Sequence, residues 1–264
     1  MRTLRPGDPV ALEDDLLIES DNLPALAALP AATFDMAYLD PPFNTGAQQR
    51  RGALGYADAF ADHGAFLVPR LERVRELLAP HGTLYLHLDY REAHRAKLAL
   101  DELFGAECFL NELIWAYDYG GRPKRRWPAK HDTILVYVRD RDRYHFDSEE
   151  VEREPYMAPG LVGPEKAARG KLPSSVWWHT IVPTNSREKT GYPTQKPEGI
   201  VRRMVAASSR PGGWCLDPFA GSGTLGAVCR ALGRRFVLID SNPAAVAVTL
   251  GRLEPVHEAT GGTA

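Results

Sequence analysis

The hydrophobic pattern of the chain switches between short unbroken apolar runs and longer stretches with apolar residues at helical spacing. "LLIE" (16–19), "FDMAYL" (34–39), "GTLYLHLD" (82–89) and "WCLD" (214–217) have strand length and are largely apolar on both faces, as strands buried between two layers are. "AFLVPRLERVRELLAP" (65–80) instead places Leu67, Leu71, Val74, Leu77 and Leu78 one helical turn apart, with charges between them. "REAHRAKLALDELFG" (91–105) is a second helix closed by Gly105, and "PEGIVRRMVAASS" (197–209) a third with Pro197 near its start. "NLPALAAL" (22–29) is a short helix with Pro24 in its first turn. Residues 214–253 run strand, glycine turn, helix, strand, helix. This alternation predicts an α/β fold with a doubly wound, mostly parallel sheet.

Two further strands, "LNELIWAY" (110–117) and "DTILVYVR" (132–139), flank a basic segment. Residues 44–64 hold four glycines, two glutamines and Arg50-Arg51, and read as a mobile loop. Periodicity fails between 140 and 192, where a cluster of glutamates precedes a proline-rich tract and "SSVWWHTIVP". The pattern divides the chain into 1–139, an inserted substrate-facing region at 140–192, and 193–264. Trp177-Trp178-His179 in that insert fits either core or a surface that reads or wedges a duplex.

A chain of 264 residues suffices for one large α/β domain with a small insertion. No stretch reaches the roughly 18 apolar residues of a membrane span, and the N-terminus lacks the apolar core of a signal peptide. Cys108, Cys215 and Cys229 are scattered among apolar neighbours, which fits reduced core thiols in a cytoplasm. The eight histidines occur singly, without the spacing of a zinc site, so no metal is expected. A net charge of −2 does not announce a nucleic-acid partner, but the local distribution in "GRPKRRWPAKH" (121–131) is more telling. Arg122, Lys124, Arg125, Arg126 and Lys130 surround Trp127 there, as in a solvated face or a loop that meets nucleic acid.

Two strand ends carry candidate chemistry. In "LDPPFNTG" (39–46) the prolines cannot continue a ladder, so they stop the strand and hold Asp40 and Phe43 in a stiff turn at its carboxyl end. Ligands bind at that edge in open α/β sheets, although an ordinary strand-ending turn also accounts for the prolines. "DPFAGSGTLG" (217–226) contains Gly221-x-Gly223-x-x-Gly226, formally a dinucleotide fingerprint, with Asp240 nineteen residues beyond Gly221. NAD is therefore a contender, whereas a P-loop is not, because no lysine follows the second glycine. Asp217, just before the glycines, would repel a pyrophosphate and attract the cationic end of a sulfonium amino acid. S-adenosylmethionine satisfies both acids, one at its amino-acid end and one at its ribose.

In this order, "DPPF", then "YPTQKPEGIVRRMV", then "DPFAGSGT", the chain resembles the amino-group DNA methyltransferases of the permuted beta order, over nearly its whole length. The resemblance implies a Rossmann-like S-adenosylmethionine-dependent methyltransferase fold acting on double-stranded DNA. It implies that Asp40, Pro41, Pro42 and Phe43 handle the target base. It gives Thr194, Lys196, Asp217, Phe219, Ala220, Gly221, Gly223 and Asp240 to the cofactor, with Asp21 near its adenine amino group. Residues 1–139 then form the catalytic part, 140–192 the target-recognition region and 193–264 the cofactor part. Arg50 and Arg51 join the basic segment as candidate DNA contacts. A second copy of the chain and a cognate restriction endonuclease are further candidate partners.

An exocyclic amine is a poor nucleophile because its lone pair is delocalised into the ring, so it needs geometry more than base strength. Asp40 and the Pro41 carbonyl can each accept one of its N–H groups, and Phe43 can stack on a flipped base. Asp40, where relatives with serine often take cytosine, favours adenine N6. Cytosine N4, the same chemistry on RNA, an NAD-dependent oxidoreductase and a non-catalytic DNA-binding module are the alternatives. No Pro-Cys dipeptide occurs, which argues against methylation of ring carbon 5.

Overall fold

The computed structural model defines residues 1–51 and 54–254, with side chains for all of these except 48–51 and 54–57. Its strands are β1 (Arg2–Leu4), β2 (Leu16–Glu19), β3 (Phe34–Leu39), β4 (Ala47–Arg51), β5 (Leu54–Asp58), β6 (Leu78–Leu88), β7 (Phe109–Ala116), β8 (His131–Val138), β9 (Val176–Trp178), β10 (Trp214–Asp217) and β11 (Arg235–Asp240). The helices are α1 (Asn22–Ala28), α2 (His63–Leu77), α3 (Ala93–Phe104), α4 (Pro164–Arg169), α5 (Glu198–Ser208), α6 (Thr224–Ala231) and α7 (Pro243–Leu253).

Nine strands form one sheet in the order β1-β2-β11-β10-β3-β6-β8-β7-β9. From β1 to β6 all neighbours are parallel, and β8 alone runs against its neighbours β6 and β7. Side chains alternate between two cores. One core packs Leu39, Leu84 and Leu86 of the sheet under Leu26 of α1, Leu71 and Val74 of α2, and Leu100 of α3. The other packs Met36, Ile134 and Leu238 under Val201 and Met204 of α5, Val228 of α6 and Val246 of α7. Each such aliphatic chain stabilises the fold by about 1.5–3 kcal/mol, which is why these strands read as unbroken apolar runs. The helices start where a polar side chain caps them. Asp21 accepts from the Leu23 N–H of α1, Asp62 from the Ala65 N–H of α2, and Asn242 from the Ala244 N–H of α7.

The chain leaves β3 through α2 toward β6, and leaves β10 through α6 toward β11 on the other side. β3 and β10 are neighbours, Met36 opposite Cys215 and Ala37 opposite Leu216, so their carboxyl ends flank the switch point of the sheet.

Three features differ from the sequence expectation. Residues 44–64 are not a plain loop, because β4 and β5 pair there as an antiparallel hairpin before α2 begins at His63. Glycines and glutamines conceal its alternation. A short strand β1, too brief to show a pattern, edges the sheet beside β2. Within 140–192, β9 pairs parallel to β7 and becomes the outermost strand of the main sheet, while Val151 packs on Ala206 and Ala207 of α5. Trp177 of β9 is buried, as the core reading has it, and Trp178 is 73% exposed. Cys108, Cys215 and Cys229 are free and buried.

Candidate active site

Every residue of β3 is buried, and the turn after it is fixed from outside: the His63 Nε2 lies 2.8 Å from the Pro42 carbonyl oxygen. Pro41 is buried beneath the turn. Asp40, half-buried, points both carboxylate oxygens at Lys196, whose Nζ donates to each at 2.6 Å. The same ammonium lies 4.7 Å from the centre of the Phe43 ring. Lys196 arrives on the segment ahead of α5, and its carbonyl accepts from the Thr224 hydroxyl at 3.2 Å, which ties that segment to the first turn of α6. The resemblance gives Lys196 to the cofactor; the structure sets its ammonium on Asp40.

Across the crevice, Asp217 ends β10 and accepts from the Phe219 N–H at 2.9 Å. Burial drives its carboxyl well above the usual range against that hydrogen bond, with Asp40 and Asp240 adding to the rise and Lys196 opposing it. Asp240, raised by burial as well, accepts from the Gly221 N–H at 2.8 Å and the Asn242 N–H at 2.9 Å. Each of its oxygens keeps a second lone pair for a ligand. Gly223 has φ +70°, and a Cβ there would stand 2.7 Å from Thr249 Cγ2, so only glycine fits. A Cβ on Gly226 would strike Leu238 and Leu253 at 2.8 Å, so this third glycine serves helix–strand packing. Asn22 at the start of α1 donates to the Pro218 carbonyl at 2.8 Å, and Arg70 pairs with Asp21 at 3.3 Å. The first and last thirds of the chain are locked together at this turn.

A cavity of about 290 Å³ opens between these elements. Asp21, Asp40, Pro42, Thr194, Lys196, Asp217, Phe219, Ala220, Gly221 and Asp240 line it together with Tyr38, whereas Pro41, Phe43 and Gly223 do not. Thr194, exposed at φ +57°, stands on its rim. Buried acids on two strand ends suit a ligand with a cationic amino-acid end and ribose hydroxyls. A dinucleotide would set its pyrophosphate against the Asp217 carboxyl, the poorer match. Among the described residues, no group of three or more His, Cys, Asp or Glu could hold a metal ion.

Sequence reasoning missed a row of buried polar side chains beside Asp40. The Tyr38 hydroxyl lies 2.8 Å from His87 Nδ1, His87 Nε2 lies 3.1 Å from Asp132, and Asp132 accepts from the Tyr117 hydroxyl at 2.9 Å. The signal available in the sequence was a polar residue breaking each of two apolar strands.

The basic segment leaves the sheet at the same edge as Asp40, because β7 runs parallel to β6 and β3 across the antiparallel β8. Its cations are not equivalent. Lys130 is tied to the carbonyls of Tyr119 and Gly120, Arg122 lies 3.6 Å from Asp118, and Arg126 reaches the Tyr90 hydroxyl at 3.3 Å. Lys124 and Arg125 are exposed, and Trp127 is 92% exposed among them. Arg50 and Arg51 fall on β4, and their side chains lie outside the described residues.

The profile of a family described as DNA methylase matches residues 34–250, which contain both strand ends. The chain belongs to that family. It is an S-adenosylmethionine-dependent DNA methyltransferase. The methyltransferase is 31% identical over 252 residues to the DNA adenine methyltransferase YhdJ of Escherichia coli K12, covering 92% of this chain and 83% of that one. It is 32% identical over 241 residues to the type II methyltransferase M.HpaI of Haemophilus parainfluenzae, covering 91% and 74%. Solved structures share its fold: the cytosine-N4-specific PvuII DNA methyltransferase, with TM-score 0.69, 15% identity and coverage of 91% and 86%, and an M1.HpyAVI–SAM complex, with 0.63, 21%, 90% and 98%. Among the described residues no helix is long and apolar enough to cross a membrane.

Proposed function

We propose that this methyltransferase modifies the exocyclic N6 of an adenine flipped out of double-stranded DNA. One observation carries the reading: Asp40 and Asp217 close neighbouring parallel strands and share one cavity, so acceptor and donor meet at the switch point. Asp40 in place of a serine supports adenine over cytosine, and so does the likeness to a relative named as an adenine methyltransferase.

Asp217, Asp240 and Asp21, with Phe219, Ala220, Gly221, Gly223 and the rim residue Thr194, would hold S-adenosylmethionine. When bound, it supplies an electrophilic methyl group on a sulfonium. Asp40 and the Pro41 carbonyl accept the two amine N–H groups, which favours tetrahedral nitrogen and aims its lone pair at that methyl. Pro42 keeps the turn stiff, so Asp40 needs no reorganisation as positive charge develops on nitrogen. Phe43 stacks on the base, a contact of about 1–3 kcal/mol. In the free protein Lys196 donates to both Asp40 oxygens, so the amine shares or competes for them.

Arg50, Arg51, Arg122, Lys124, Arg125, Arg126 and Lys130 supply phosphate contacts in this reading, and 140–192 reads the target sequence. A second copy of the chain, a cognate restriction endonuclease and a cytoplasmic location complete it. Expression in a methylation-free host, followed by nucleoside analysis of its DNA, tests the central claim. N6-methyladenine supports it, and N4-methylcytosine alone overturns the choice of base.

A further inference from the structure

Tyr38, His87 and Asp132 sit on β3, β6 and β8, three adjacent strands, and all point to the same face of the sheet. Their neighbours on that face are Met36, Ile134 and Val136, which are apolar, and Tyr85, whose hydroxyl pairs with Ser208 away from the row. A fully buried imidazole and a carboxylate at the sheet edge cost desolvation that aliphatic residues would avoid. The row is also directional. Tyr38, 2% exposed, forms part of the cavity wall two residues before Asp40, and the row runs inward from it to Asp132 and on to the half-buried Tyr117. Phe43 packs over His87 with ring centres 5.8 Å apart, so the row lies directly behind the proposed base platform.

Resting on the adenine-N6 reading of this site, we propose that Tyr38 accepts the proton released by methyl transfer and passes it to His87, with His87 and Asp132 acting as positioning residues. The bookkeeping closes without an outside reactant. The C–N bond forms as the methyl's bond to sulfur breaks, its electron pair staying on sulfur, and the nitrogen then carries one proton too many. That N–H bond breaks toward the Asp40 carboxylate that holds it, its pair returns to nitrogen, and the proton passes across the shared cavity wall to Tyr38 Oη as the tyrosine's own proton goes to His87 Nδ1. The phenol is neutral before and after, and the imidazolium rests against the Asp132 carboxylate. The reverse path returns the proton to the cavity once product leaves.

The hydrogen bonds fit these roles. With Nε2–H donated to Asp132, a neutral His87 presents Nδ1 as an acceptor, so the Tyr38 hydroxyl donates inward and keeps its lone pairs for the cavity. Burial, with the charges of Asp40, Asp217 and Asp132, pushes the Tyr38 phenol well above its ordinary value and keeps it protonated. Burial opposes the Asp132 carboxylate, yet the His87 hydrogen bond, Lys196 and Tyr117 together hold it below its usual range. Asp40 and Asp217 from the strand ends, Lys196 from the segment before α5, and Asp89, Arg91 and Tyr117 beyond β6 and β7 are the other charged or titratable groups around the row.

Single-turnover methyl transfer measured against pH, with the cofactor dissociation constant measured in parallel, tests the relay. Tyr38→Phe should transfer more slowly by about a hundredfold or more, within the range of general-base effects, with cofactor affinity within twofold and the acid limb of the profile lost. Asp132→Asn keeps an acceptor for His87 but removes the charge that favours the imidazolium, so the limb should move to lower pH. If Tyr38→Phe folds and keeps the wild-type rate and limb, or if its rate and cofactor affinity fall together, the relay is wrong. If that variant does not fold, an unmoved limb in Asp132→Asn overturns it equally. Asp40→Ala separates the two proposals: full transfer there sinks the reading of the site, whereas a dead Asp40→Ala beside an unaltered Tyr38→Phe sinks only the relay.

Discussion

The ammonium of Lys196 donates to both carboxylate oxygens of Asp40 and lies 4.7 Å from the centre of the Phe43 ring. Lys196→Met leaves Asp40 charged beside Asp217, and a sulfonium then becomes the natural counter-charge. The variant should bind S-adenosylmethionine about tenfold more tightly relative to S-adenosylhomocysteine, which lacks that charge, a difference of about 1.4 kcal/mol. Calorimetry with both ligands checks it. Equal weakening of the two would mean that Lys196 acts on the shared amino-acid end instead.

Asp217 makes cofactor binding depend on pH. Its pKa is raised in the free protein, and a cation beside it lowers that pKa, so binding releases a proton. Affinity should rise with pH by at most tenfold per unit up to the raised pKa of the free state and then level off. Titrations in buffers of different ionisation enthalpy count the proton. The same shift predicts a trade in stability. A carboxyl whose folded pKa lies above its unfolded one contributes most stability below the unfolded pKa and loses it as pH rises through the folded pKa. Asp217→Asn removes that loss, so the free variant should melt higher at neutral pH while binding cofactor more weakly.

Phe43 should carry base stacking. Phe43→Ala is expected to weaken specific DNA binding by about 1–3 kcal/mol, while Phe43→Tyr keeps the ring face and is tolerated. A 2-aminopurine at the target position should brighten in the cofactor-loaded wild-type complex as it leaves the duplex stack. A dark probe in a bound complex with Phe43→Ala, where no ring quenches it, argues against flipping.

The basic segment rises at the edge of the sheet that bears Asp40. Replacing Lys124, Arg125 and Arg126 with alanine should weaken target and non-target DNA alike and leave the preferred site unchanged. Three lost phosphate contacts should flatten the log–log salt dependence by about 2.7. A wild-type slope would return the segment to a solvated face.

The architecture was legible because its strands are buried on both faces, and both acids were legible because each ends such a strand beside proline or glycine. The β4–β5 hairpin was not, since its glycines and glutamines carry loop composition while its register comes from pairing. His87 and Asp132 stood out only as single polar residues in separate apolar strands. What joins them to Tyr38 is the side-by-side placement of strands whose paired side chains lie 49 and 45 residues apart. The Lys196–Asp40 contact spans 156 residues, so no local pattern shows it.

The strand order also has a consequence during synthesis. β10 and β11 seat between β2 and β3, so the middle of the sheet is the part made last. A nascent chain that has not yet produced residues 214–240 pairs β2 only with β1 and β3 only with β6, and their raw inner edges invite strand pairing with other chains or capture by a chaperone. Donor and acceptor halves come into being together when those two strands slot home, and a ribosome-bound fragment ending before Trp214 has neither a finished core nor a place to modify DNA.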